Sequence, residues 1–227
     1  MSEKPLGMRI GESVFCAGYL VFALIAGVIF AMHGNGTGSY ASTCAAMTLL
    51  LGGGDAFHLV PRILANIKGN ASSISEEHQR HFWLGLGNLV SSITMTVFYI
   101  LLFDVMRLMP GMTPTSQPPQ AIRTILLALA AVRIALCLFP QNRWFDGVGN
   151  QQWGIYRNLP FAAMGVLTVL YLLVWYHAWL LALLVTASFA CYMGVVLYAR
   201  QKPMMGMLMI PKTICYIWMI GVFLGAL

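Results

Sequence analysis

Apolar residues fill seven long runs, near residues 13–33, 41–66, 82–109, 121–139, 155–176, 178–200 and 205–227. Each is long enough to cross the hydrocarbon core as a helix, which takes about 20 residues. The segments between them are HGNGTGSY, the polar stretch from Ala65 to Arg80, PGMTPTSQPPQ, PQNRWFDGVGNQQWG, a tight turn at His177, and RQKP. Their Gly, Pro, Asn and Ser residues are ordinary turn punctuation. The pattern predicts an all-α, polytopic membrane protein of about seven transmembrane helices, with residues 1–227 forming one helical-bundle domain. The stretch MSEKPLGMRIGES shows no cleavage site ahead of the first run, so that run is expected to be a retained span.

Composition strengthens this picture. The chain is 59% hydrophobic and 9% charged, with mean hydropathy +0.76, whereas a soluble domain is about 25% charged. The net charge of +6 does not suggest nucleic acid, because the basic residues sit at the ends of apolar runs instead of forming a patch. They set orientation. Lys4, Arg9, Arg62, Lys68, Arg80, Arg143, Arg157, Arg200 and Lys202 fall on one side, and only Arg107 and Arg123 on the other. The asymmetry predicts a cytoplasmic N-terminus and an external C-terminus. In a bacterium this would be the plasma or inner membrane. The five cysteines all lie in apolar runs without metal spacing, so free buried thiols are expected.

Several ionisable residues lie inside the spans. An ionisable group in hydrocarbon marks a functional site by default, because it costs several kcal/mol (about 3 on insertion scales) unless paired or hydrated. Asp55, His58 and Arg62 follow an i, i+3, i+7 course on one face of span 2. Gly52, Gly53, Gly54 and Pro61 on the same span permit a kink or local unwinding. Span 3 carries a polar stripe of His81, Gly85, Asn88, Ser92, Thr96 and Tyr99. For Ser92 and Thr96 the plain reading is interhelical hydrogen bonding. Arg133 lies past the middle of span 4, and Asn142 follows at its inner edge. Arg157 and Asn158 open span 5, where Arg157 also suits an interfacial snorkelling role. Lys212 sits about two turns into span 7.

With the predicted orientation these groups converge on the cytoplasmic side. One acid, Asp55, would face Arg62, Arg133 and Lys212, leaving a net positive cavity suited to an anion. Three readings fit these residues, two of which use such a cavity. An intramembrane hydrolase would employ Asp55, His58 and His81 for acid–base work. Its anionic lipid or other amphiphile would rest on Arg62, Asn88, Arg133, Asn142, Arg157, Asn158 and Lys212. A transporter or receptor for a small anionic metabolite would use the same cavity. A purely structural bundle would pair its charges internally. Zinc is a possible cofactor, with Asp55, His58 and His81 as its ligands; no other metal or cofactor motif is present. Membrane lipids are the expected surroundings, and oligomeric state is left open.

Gly54-Asp55 in span 2, then Phe82, Gly85-Leu86 and Tyr99-Ile100 in span 3, resemble the YhhN/lysoplasmalogenase family of multi-span proteins. The match covers about a quarter of the chain. The resemblance implies hydrolysis of a lysoplasmalogen vinyl-ether bond by intramembrane acids, with Asp55 as the matching acid. This chain departs from that pattern at Thr96, where the family favours histidine, and in lacking a second acid in a later span.

Overall fold

The computed structural model describes residues 6–68, 74–147, 149–198 and 202–227. The topology determinants Lys4 and Arg200 lie outside them. The described chain is all-α: α1 (Leu6–Met32), α2 (Tyr40–Lys68), α3 (Ile74–Leu108), α4 (Gln120–Leu138), α5 (Gln151–Val174), α6 (Trp179–Tyr198) and α7 (Met209–Leu224). Short 3₁₀ turns cover Pro140–Asn142 and Pro203–Leu208. All seven α-helices contain a stretch long and apolar enough to cross a bilayer. The chain is a multi-pass membrane protein.

Consecutive helices pack as neighbours around the bundle, and α7 returns to touch α1. α3 also reaches α5 across the interior. The half containing the α1–α2, α3–α4 and α5–α6 connections carries a large cluster of buried apolar residues. There Phe103 stacks on Tyr171 with ring centroids 3.5 Å apart, and Phe30, Leu102 and Phe223 are fully buried. The Tyr40 hydroxyl donates to the Phe223 carbonyl at 2.8 Å, tying the start of α2 to the end of α7. Asp104 lies 3.8 Å from Arg107, one turn along α3, and 3.2 Å from Arg123 of α4.

Two expectations change. The stretch from Ala65 to Arg80, read as a loop, is mostly helix: α2 continues to Lys68 and α3 begins at Ile74. Glu76 and Glu77 occupy the first turn of α3, where carboxylates complement the positive end of the helix dipole. Polar helix ends can project into water without breaking, so hydropathy underestimates their length. The second change is in α2, which runs unbroken through Gly52–Gly54 and Pro61. The glycines serve close packing instead. A Cβ on Gly52 would press on Ala23 of α1, and one on Gly54 would collide with Thr94 of α3, while Gly53 faces open space.

Candidate functional site

The site is built on the antiparallel α1–α2 seam. Its rungs recur seven residues apart on both helices, which is about two turns. At the deep rung the Tyr19 hydroxyl donates to Asp55 Oδ2 at 2.8 Å. At the shallow rung Glu12 pairs with Arg62 at 2.5 Å. Arg9, nearer the end of the seam, donates to the Asn66 carbonyl. From the other side α3 contributes Ser91, which donates to Asp55 Oδ1 at 3.1 Å. Asp55 is therefore buried and accepts on both oxygens. His58, one turn along, places Nδ1 4.0 Å from Asp55 Oδ1. That distance is electrostatic contact, beyond a hydrogen bond. Gly87 permits this packing: a Cβ there would meet the Phe57 carbonyl oxygen at 2.5 Å and His58 Cα at 2.6 Å.

Asp55, His58, Arg62, Asn88, Arg133, Arg157 and Lys212 line one cavity of about 520 Å³. Seven of the ten residues singled out from sequence thus come together. Arg133 is 1% exposed and stacks its guanidinium 3.2 Å above the Phe161 ring. Its Nε and Nη1 have no hydrogen-bond partner among the described residues. Lys212 is buried, with Nζ 4.9 Å from the Tyr216 ring centroid and 5.6 Å from that of Tyr192. Arg157 lies against the Trp144 ring at 4.1 Å. Cation–π contacts of this kind give about 0.5–2 kcal/mol and leave the charge itself unneutralised.

The other three residues stand apart from the cavity lining. His81 lies 3.9 Å from Glu77 and against Gly147, which has a positive φ of 73° and where a Cβ would also collide with the imidazole. It does not join Asp55 and His58. Asn142 donates to the Leu136 and Phe139 carbonyls at 2.7 and 2.8 Å, satisfying the end of α4. Its Oδ1 accepts from Arg157 Nη1 at 2.8 Å, so it positions Arg157. Asn158 donates to the Gly154 carbonyl and accepts from Tyr192, at 2.7 and 2.9 Å. Asn142→Ala is expected to cost about 1–3 kcal/mol, because buried helix-end carbonyls lose their donor. Chemical denaturation of the detergent-solubilised protein checks this.

The zinc reading fails on geometry. Among the described residues no three His, Cys, Asp or Glu side chains come together as a metal site. Asp55 and His58 are neighbours, but His81 is directed elsewhere. No disulfide joins cysteines among the described residues.

Sequence reading missed four participants: Glu12, Tyr19, Ser91 and Trp144. The apolar run begins at residue 13 and leaves Glu12 in the tail ahead of it, but α1 starts at Leu6 and carries it into the seam. Its signal was present: it lies seven residues before Tyr19, as Asp55 lies seven before Arg62. Arg62 is consequently paired, and is not an open cation facing Asp55. Glu12→Gln is expected to weaken the seam by less than about 1 kcal/mol, since the pair is partly solvated. A thermal melt of the two proteins in the same detergent measures it.

No protein-family model matches the chain, and no curated protein or solved structure is detectably similar to it.

Proposed function

We propose that this membrane protein holds an anionic amphiphile in the cavity lined by residues of all seven α-helices and hydrolyses it there. The observation that carries the reading is Arg133, a nearly fully buried guanidinium with two unpartnered nitrogens in a cavity that also holds Lys212. An unpaired buried cation costs several kcal/mol, on the order of 3–5 when its partner is missing. A bound anion removes that cost, and the planar guanidinium suits a carboxylate or phosphate.

Asp55 and His58 support the chemical step. Asp55 is held by Tyr19 and Ser91, so its position is fixed. His58 accepts a proton from the attacking water and delivers it to the departing group, with Asp55 stabilising the charge that forms. The resemblance to the YhhN/lysoplasmalogenase family assigns the same acid, Asp55. The charged residues near the cavity favour a cytoplasmic opening on the Lys/Arg bias.

One observation favours binding without chemistry. The 4.0 Å separation of His58 from Asp55 leaves the pair without a hydrogen bond, and a transporter or receptor would need none. The test begins with native mass spectrometry and lipidomics on protein purified in mild detergent. A co-purifying anionic amphiphile that the protein cleaves supports the hydrolase. Uptake of an intact anion into proteoliposomes, with no product, replaces it with the transporter. Neither binding nor flux of any anion overturns both.

A further inference from the structure

The cavity's charge balance says more about the ligand than its sign. Six formally charged side chains line it: Glu12, Asp55, Arg62, Arg133, Arg157 and Lys212. Glu12 and Arg62 neutralise each other at 2.5 Å. One carboxylate, Asp55, then stands against three cations. None of the three forms an ion pair among the described residues. Arg133 stacks on the Phe161 ring, Arg157 is held by Asn142 and Trp144, and Lys212 lies over tyrosine rings. Asp55 is already engaged by two hydroxyl donors. Formal charge in the cavity is thus two units positive.

We propose that the ligand is a phosphate bearing two negative charges: a phosphate monoester head group rather than a carboxylate or a zwitterionic phosphodiester. A single negative charge would leave a buried cation uncompensated, which is the costly case. A phosphate monoester, with a second ionisation near about pH 6, carries close to two charges above neutrality. Its three terminal oxygens can accept from two guanidinium forks and an ammonium together. Arg133 lines the cavity with its Nε and Nη1 unpartnered among the described residues, so no protein acceptor shown there competes with a phosphate for its charge. The head group rests on Arg133, Arg157 and Lys212. The apolar part of the cavity, including Phe15, Leu59 and Ile210, receives the chain. This inference rests on reading the cavity as an anion site and is independent of whether hydrolysis follows.

Isothermal titration of the full-length protein in dodecyl maltoside, at about pH 8, tests it with probes of equal chain length. Dodecyl phosphate carries two charges, laurate one, and dodecylphosphocholine none in net. Dodecyl phosphate is expected to bind at least about tenfold more tightly than either. Lys212→Met is expected to remove most of that preference, by lowering the cavity's charge by one. Arg133→Gln is expected to abolish binding, and Arg133→Lys to restore it in part; the Lys variant guards against a packing defect on Phe161. Inorganic phosphate distinguishes the source. If it fails to displace dodecyl phosphate, the site takes a lipid-like monoester; if it competes at equal concentration, the site takes free phosphate. Either result retains the doubly charged phosphate. Equal affinity for laurate and dodecyl phosphate overturns the inference, as does a preference that survives Lys212→Met unchanged. Binding of dodecyl phosphate without turnover of any amphiphile would keep this inference and discard the hydrolase.

Discussion

Asp55→Asn is expected to lower turnover of the co-purifying amphiphile by at least about 100-fold, because His58 loses the carboxylate that stabilises its protonated form. The protein should remain monodisperse. Asparagine has the same shape, its carbonyl oxygen still accepts one hydroxyl, and the Tyr19 or Ser91 oxygen can accept from its amide instead. The stability loss should therefore be small, about 1 kcal/mol. Tyr19→Phe provides the companion measurement. It removes one donor to Asp55 and leaves Ser91 in place, so activity should fall far less. If Asp55→Asn instead aggregates while Tyr19→Phe behaves normally, Asp55 is a structural tie between α1, α2 and α3. If both fold and both keep full turnover, Asp55 has no chemical role.

What the sequence made legible, and what it hid, follows from how each signal is encoded. Seven spans are written in hydropathy, a property summed over some 20 residues, so the bundle survives errors at single positions. Depth is nearly as legible. Arg133 and Lys212 were placed at the same end by counting residues from span ends, and both line one cavity. Azimuth is harder. His81 shares the stripe of Asn88 and Ser92 on α3, yet only the latter two line the cavity. His81 instead lies against Gly147 of the α4–α5 connection and near Glu77. Asn142 and Asn158 failed for another reason. Both bond to backbone carbonyls of their own neighbourhood, and a polar side chain read from sequence does not reveal whether it looks outward or back at its chain. Pairing was least legible. Glu12 and Arg62 are far apart in sequence and meet only because α1 and α2 run antiparallel in one register. That single pair changes the site's chemistry, since it removes one cation from the set available to a ligand.

The same geometry sets a large expected stability change at Gly87. Alanine is a better helix former than glycine by about 1 kcal/mol, and propensity alone predicts stabilisation. At Gly87 the clash decides the sign. The added Cβ would lie 2.5 Å from the Phe57 carbonyl oxygen and 2.6 Å from His58 Cα, both anchored in the backbone of α2 and unable to rotate away. α3 must shift from α2, which also moves Ser91 relative to Asp55. Overpacking of a core commonly costs about 1–3 kcal/mol, and with backbone on the far side the upper end is expected. Gly53→Ala is the matched control. It lies in the middle of α2 with nothing within 4 Å of the added carbon, so it should be neutral or stabilising by up to about 1 kcal/mol. Thermal melts of the two variants in one detergent therefore should move in opposite directions. Equal shifts would mean that α2 and α3 do not approach at Gly87. Without that approach, Ser91 would not be positioned to hold Asp55 and the cavity would lose its fixed acid.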